Sequence, residues 1–149
     1  MTHKNDLPVP PILVAQIGRL YNNMYKGCDK NFREHGFPLE MDQVPVLLSL
    51  YYTGGVSQQA ICSNLRRDKA SVNRTISFLV KNDIAIVIRD TVDKRKTCVK
   101  LTAKGENLAM QGDTIIEKYN TALASGLTEE ERKEFNKIML KLIGVIDPM

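Results

Sequence analysis

A chain of 149 residues with 43% apolar and 26% charged side chains can pack one compact domain, or a small module fused to an association element. No run of about 18 apolar residues occurs, which excludes a membrane-spanning helix, and the start lacks a signal-peptide pattern, so a cytoplasmic protein is expected. The formal net charge of +4 is modest, and its distribution carries more meaning than its size.

The apolar positions Leu13, Ile17, Leu20, Tyr21, Met24 and Cys28 recur at helical spacing and predict a first helix over 12–34. Pro10 and Pro11 precede it, where a missing N–H is tolerated. Gly36 suits the left-handed position that ends it. Asp42 is the expected cap of a second helix over 43–52, with Pro45 in its first turn and Gly54-Gly55 as its stop. Ser57 is the natural cap of a short third helix, with Ala60, Ile61 and Leu65 facing inward. Asp68 can cap a fourth, running to about Asn82, with Val72, Ile76 and Leu79 as its buried stripe.

The period then changes. Residues 84–89 and 97–101 are β-branched, strand-like runs, separated by the polar loop 90–96. Thr102 caps a long helix to about Ala124, with Leu108, Ile115, Tyr119 and Leu123 among its apolar positions. Ser125-Gly126 breaks it. Thr128 and Glu131 have capping-box spacing before a last helix striped by Phe135, Ile138, Met139, Leu142 and Ile146. The expected class is therefore mainly α with a small antiparallel β-hairpin (α+β).

Residues 66–104 hold eleven Lys or Arg against four Asp, a local charge of +7, while the remaining residues carry −3. Cations gathered in one quarter of the chain suit a polyanionic partner. Two short helices joined by a tight turn and followed by a basic hairpin form the winged helix-turn-helix plan. Its second helix fits the major groove of double-stranded DNA.

Outside the core stripe of the fourth helix lie Lys69, Ser71, Asn73, Arg74 and Ser77. Arg74 suits guanine or phosphate, and Asn73 suits adenine. Ser57, Gln58 and Arg67, in the elements just before it, join the candidate DNA-contacting set. At the hairpin tip, Asp93, Lys94, Arg95 and Lys96 place three cations within reach of a minor groove. Two readings of Asp93 stand open. It can pair with the Arg95 guanidinium and fix its direction, or it can simply favour the bend.

These segments resemble the MarR family of bacterial regulators. The likeness rests on Asp68-Lys69-Ala70-Ser71-Val72-Asn73-Arg74-Thr75-Ile76, then Leu79, Arg89, Asp93-Lys94-Arg95 and Leu101-Thr102-Ala103-Lys104-Gly105. Leu127-Thr128-Glu129-Glu130-Glu131 is also similar to the start of that family's last helix, so nearly the whole chain is covered. The resemblance implies one domain over 1–149, with a winged helix-turn-helix at about 40–101 and dimerisation helices at about 10–36 and 102–147. It further implies groove contact by Ser71, Asn73 and Arg74, and minor-groove contact by Arg95 held by Asp93. Asp83 departs from the family's usual Gly at the end of the reading helix, and Phe78 and Val80 stand where polar residues are usual.

Dimerisation has its own argument. Leu13 and Ile17, with Phe135, Ile138, Met139, Leu142 and Ile146, belong to stripes wider than a small helix-turn-helix core can cover. A two-fold homodimer buries such stripes and sets two reading helices on one face of a duplex. The expected function is a sequence-specific regulator, read as a repressor on a palindromic operator.

Its affinity would be open to modulation by a small anionic or aromatic effector. Arg19, Tyr21, Met24 and Tyr25 are the candidate lining for that effector, or else ordinary core. Cys28, Cys62 and Cys98 are odd in number and make no CxxC pair, so no metal or cofactor is expected. They read as small core residues, with a thiol sensor at Cys28 as the sharper alternative. No catalytic motif occurs. A winged-helix adaptor that binds protein instead of DNA is the rival from another class.

Overall fold

A computed structural model describes residues 12–147. The order is α1 (Leu13–Glu34), α2 (Val44–Thr53), α3 (Gln58–Leu65), α4 (Lys69–Lys81), β1 (Ala85–Arg89), β2 (Thr97–Leu101), α5 (Ala103–Ala124) and α6 (Glu129–Ile146). The chain divides into two compact units, with the boundary inside α5 between Asp113 and Thr114. The two prolines expected before the first helix lie outside the described residues. Among the described residues no helix is long and apolar enough to cross a membrane, and no cluster of His, Cys, Asp or Glu could hold a metal.

The first unit is built around α2, whose Val44, Val46, Leu47 and Leu50 are buried. Against these pack Ile61 of α3 and Val72, Ile76 and Leu79 of α4, buried as the stripes predict, and Val99 of β2; Ala60 and Leu65, also expected inward, are half-buried. Phe32 closes the end of α1 and meets Phe37 edge-on at 4.8 Å. Gly36 takes φ +63°, the left-handed stop expected there.

Four caps form as read from the sequence, that of Thr102 on α5 among them. Ser57 Oγ accepts the Ala60 N–H at 3.1 Å, Asp68 Oδ2 accepts the Ser71 N–H at 2.8 Å, and Thr128 with Glu131 completes a capping box. Asp42 does not cap α2. Gln43 occupies the cap position in helical conformation, with no side-chain cap bond. Its N–H donates to the Glu40 carbonyl at 2.9 Å, and its Oε1 accepts the Glu40 N–H at 2.9 Å. Pro45 also removes one of the N–H groups that a cap would have used.

β1 and β2 pair antiparallel with Val87 opposite Val99. A further bridge joins Val56, just before α3, to Val99, with N–H to carbonyl distances of 3.1 and 2.8 Å. Gly55 makes that approach at φ +120°, where a β-carbon would stand 2.5 Å from Lys100 Cγ.

The Leu101-Thr102-Ala103-Lys104-Gly105 segment has a structural explanation. The Thr102 N–H donates to the Ile84 carbonyl at 3.0 Å, and Thr102 Oγ1 accepts the Gly105 N–H at 3.1 Å, capping α5. Asp83 carries the left-handed turn at φ +58° in place of glycine, and its carbonyl accepts the Thr102 hydroxyl.

In the second unit the end of α5 turns through Ser125, Gly126 and Leu127 into α6. No residue of α6 is buried. Its Phe135, Ile138, Ile143 and Ile146 are 49%, 47%, 53% and 82% exposed. That is an unusually apolar surface for a helix ending in water.

Candidate nucleic-acid interface

Along α4, the inward turn of Val72, Thr75, Ile76 and Leu79 leaves Lys69, Asn73, Arg74 and Ser77 exposed. These four form the predicted reading face. Ser71 belongs to the same sequence run but is half-buried and occupied. Its N–H goes to Asp68 and its hydroxyl oxygen accepts Arg67 Nη2 at 2.6 Å. Arg67, placed in sequence among the DNA-contacting cations, also donates from Nη1 to the Asp42 carbonyl. Ser57 is exposed and spends its hydroxyl on the α3 cap.

A groove of about 860 Å³ brings the separate signals together. Ser57, Gln58, Gln59 and Cys62 of the α3 region line it, with Lys69 of α4 and Arg95, Lys96 and Thr97 of the hairpin. A neighbouring groove of about 360 Å³ shares Gln58 and Thr97 and adds Asn73 and Ser77. The two grooves form one trough between reading helix and wing, with three cations on its first section and no acidic residue in either lining. Gln59, Cys62 and Thr97 were missed in sequence. Gln59 adjoins Gln58 at a helix start and Thr97 opens the strand after the basic tip, so position alone could have marked both.

The wing tip differs from one expectation. The Asp93 carboxylate accepts the Arg95 main-chain N–H at 3.1 Å. Among the described residues no ion pair joins it to the Arg95 guanidinium. Asp93 bends the backbone, leaving the guanidinium exposed, as befits a residue two positions from the N–H it caps.

Asp90 does the same one step earlier, accepting Val92 N–H at 2.7 Å and Asp93 N–H at 3.2 Å. These two main-chain donors hold its carboxyl below the usual aspartate range. Asp90 N–H donates to the Lys96 carbonyl at 2.9 Å, and Lys96 N–H to the Asp93 carbonyl at 3.0 Å. Two acids thus fold the loop, and Lys94, Arg95 and Lys96 are presented outward. Of the eleven cations in this stretch, Lys104 is engaged within the fold, where its Nζ donates to the Asn82 carbonyl at 2.9 Å, at the C-terminus of α4.

Phe78 and Val80 part company. Phe78 borders a cavity of about 440 Å³ with Leu39, Ile84 and Leu108, whereas Val80 lines the trough beside Val87 and Val99.

On α1, Arg19, Tyr21, Met24 and Tyr25 are exposed, with the Tyr21 and Tyr25 rings 6.1 Å apart. Burial pushes the Tyr25 hydroxyl up, helped by the Asp42 charge. Cys28 is half-buried, and its thiol is also pushed up, by burial first and by Asp29 second. That direction disfavours the reactive thiolate and weakens the sensor reading. Of the residues read as dimerising, Leu13 is 53% exposed and Ile17, Met139 and Leu142 are half-buried.

Comparison with known proteins gives one answer. The MarR family matches residues 39–97, the span from Leu39 through the wing. The HTH-type transcriptional regulator MgrA of Staphylococcus aureus is 27% identical over 132 residues, covering 89% of this chain and 83% of its own. A MarR transcriptional regulator from Methanosarcina mazei Go1 has a similar structure, with a TM-score of 0.74 at 25% identity over 89% of this chain and 98% of its own. The S. aureus MepR–DNA complex shares the fold at a TM-score of 0.82 and 21% identity, covering 91% of this chain and 99% of its own. The matched helix-turn-helix, the helix order and the two-stranded wing make this chain similar to the MarR family of winged helix-turn-helix transcriptional regulators.

Proposed function

We propose that this chain binds a palindromic duplex operator as a homodimer and represses transcription by occupying it. In this reading α4 enters the major groove, where Asn73, Arg74 and Ser77 meet base edges and Lys69 meets phosphate. The wing lays Lys94, Arg95 and Lys96 along the adjoining minor groove. The observation that carries the reading is the trough shared by α3, α4 and the wing, lined by Lys69, Arg95 and Lys96 and free of acids. The MepR structure of similar fold was solved on DNA, which supports the same docking here.

Homodimerisation is supported by the apolar exposure of α1 and α6, from Leu13 at 53% to Ile146 at 82%. Apolar surface gains about 25 cal/mol per Å² on leaving water, so a second copy is the natural cover. Two-fold pairing sets the reading helices roughly 34 Å apart, one helical turn of DNA. The same reading keeps a small anionic or aromatic effector, with Tyr21, Met24 and Tyr25 together on an exposed side of α1 and Arg19 exposed on another.

Selection of duplex fragments by the purified protein, followed by titration across salt, tests the proposal. An inverted repeat should be enriched, with affinity falling linearly in log salt. Absence of any enriched sequence, with weak binding indifferent to salt, would favour the protein-adaptor reading.

A further inference from the structure

Arg67 lies in the turn between α3 and α4, and its side chain is half-buried. Nη1 donates to the main-chain carbonyl of Asp42, in the turn before α2. Nη2 donates to Ser71 Oγ at 2.6 Å, in the first turn of α4. The Ser71 N–H is held by Asp68 at 2.8 Å, and the Ser71 carbonyl accepts the Thr75 hydroxyl at 3.3 Å. The two acceptors of the guanidinium belong to different elements, so one planar fork ties the approach to α2 to the start of α4. Tyr25 of α1 lies within electrostatic reach of both Asp42 and Arg67.

We propose that Arg67 is a positioning residue for DNA reading, fixing the seat of α4 on α2 through Ser71 instead of neutralising a phosphate. The inference rests on the DNA-binding function proposed above and deepens it. A guanidinium offers donors in fixed, coplanar directions, whereas a lysine ammonium carries the same charge on a compact head. Lysine therefore keeps the charge and loses the tie. Asn73 and Arg74 follow Ser71 by two and three residues, so a looser first turn misdirects base contacts, while phosphate contacts, which carry no sequence information, survive.

The test uses Arg67→Lys and Ser71→Ala, singly and together, on the selected operator and on an unrelated duplex, across salt. Each single variant should lose about tenfold in operator affinity, the scale of one hydrogen bond to a charged group. Binding to the unrelated duplex and the salt slope should stay unchanged. The double variant should be no worse than the weaker single one.

Wild-type operator affinity in Arg67→Lys, or additive losses in the double variant, would overturn the proposal. So would an Arg67→Gln variant that lowers the salt slope by about one on both duplexes. Where Arg67→Lys fails to fold, Ser71→Ala carries the test.

A DNA-free readout separates the two layers. Nitrogen-15 spectra of the free protein should show resolved Arg67 Nη signals from a guanidinium that cannot rotate, lost in Ser71→Ala. Averaged signals in the wild type would refute the tie itself. Resolved signals in a protein that ignores duplex would sink the DNA reading and leave the α2–α4 tie standing.

Discussion

The carbonyl oxygen of Ile84 fills the space where a β-carbon on residue 105 would stand, so Gly105 is what lets α5 begin against the root of the wing. Gly105→Ala must push apart the Thr102 cap and the Ile84 carbonyl it grips. The expected loss is about 1–3 kcal/mol of unfolding free energy, the scale of overpacking in a fitted core. Denaturant titration checks it; an unchanged midpoint would show that this junction yields freely.

Arg95 stands exposed at the wing tip while Asp93 holds only its main chain. Arg95→Ala should therefore weaken operator binding without unfolding the loop, and should reduce the salt slope by about one. Equal affinity and slope in the variant would remove the wing from the interface.

Arg74 lies on the exposed face of α4. Replacing it by alanine should cost about 1–3 kcal/mol in operator binding and relax preference at one base position if it reads a base. A loss of the same size on every sequence would assign it to phosphate instead. Fragment selection with the variant decides between them.

Ile138 is 47% exposed in a single chain, so a charge there does not empty a monomer core. Ile138→Asp should yield folded monomers in sedimentation and lose operator affinity in parallel. Monomers that bind at full strength would reject the two-fold arrangement.

Cys28 is pushed above the ordinary thiol value of 9.0 by burial and by Asp29. The group is neutral below its pKa, so raising that value keeps it a thiol throughout the neutral range. Alkylation of Cys28 should be slower than for free cysteine at pH 7 and should climb only in alkali. Fast labelling at neutral pH would revive the sensor reading.

Much of this architecture was legible from local chemistry. Ser57, Asp68 and Thr128 cap where they stand because each needs only its own next three residues. Asp42 misled because the bond that matters in its turn belongs to Gln43, a neighbour with the longer reach. Asp93 and Arg95 carry opposite charges two residues apart, yet the nearest donor to that carboxylate is a main-chain N–H.

Arg67 shows the wider gap. Sequence displays a cation beside a reading helix, but its two acceptors come from a carbonyl 25 residues earlier and a hydroxyl 4 residues later. Only the folded packing of α2 on α4 brings both within reach of one guanidinium. Phe78 and Val80, two positions apart on one helix, point apart by helix geometry alone, but only the fold shows that one meets a cavity beside Leu39 and the other the trough beside Val87.

The Val56–Val99 bridge fastens the base of the hairpin to the segment that launches α3, while the tip folds on its own Asp90 and Asp93. Base and tip are thereby mechanically separate. The hydrogen bonds that fold the loop between Arg89 and Thr97 lie within that loop, so its three cations can be exchanged without breaking the bridge that anchors the hairpin.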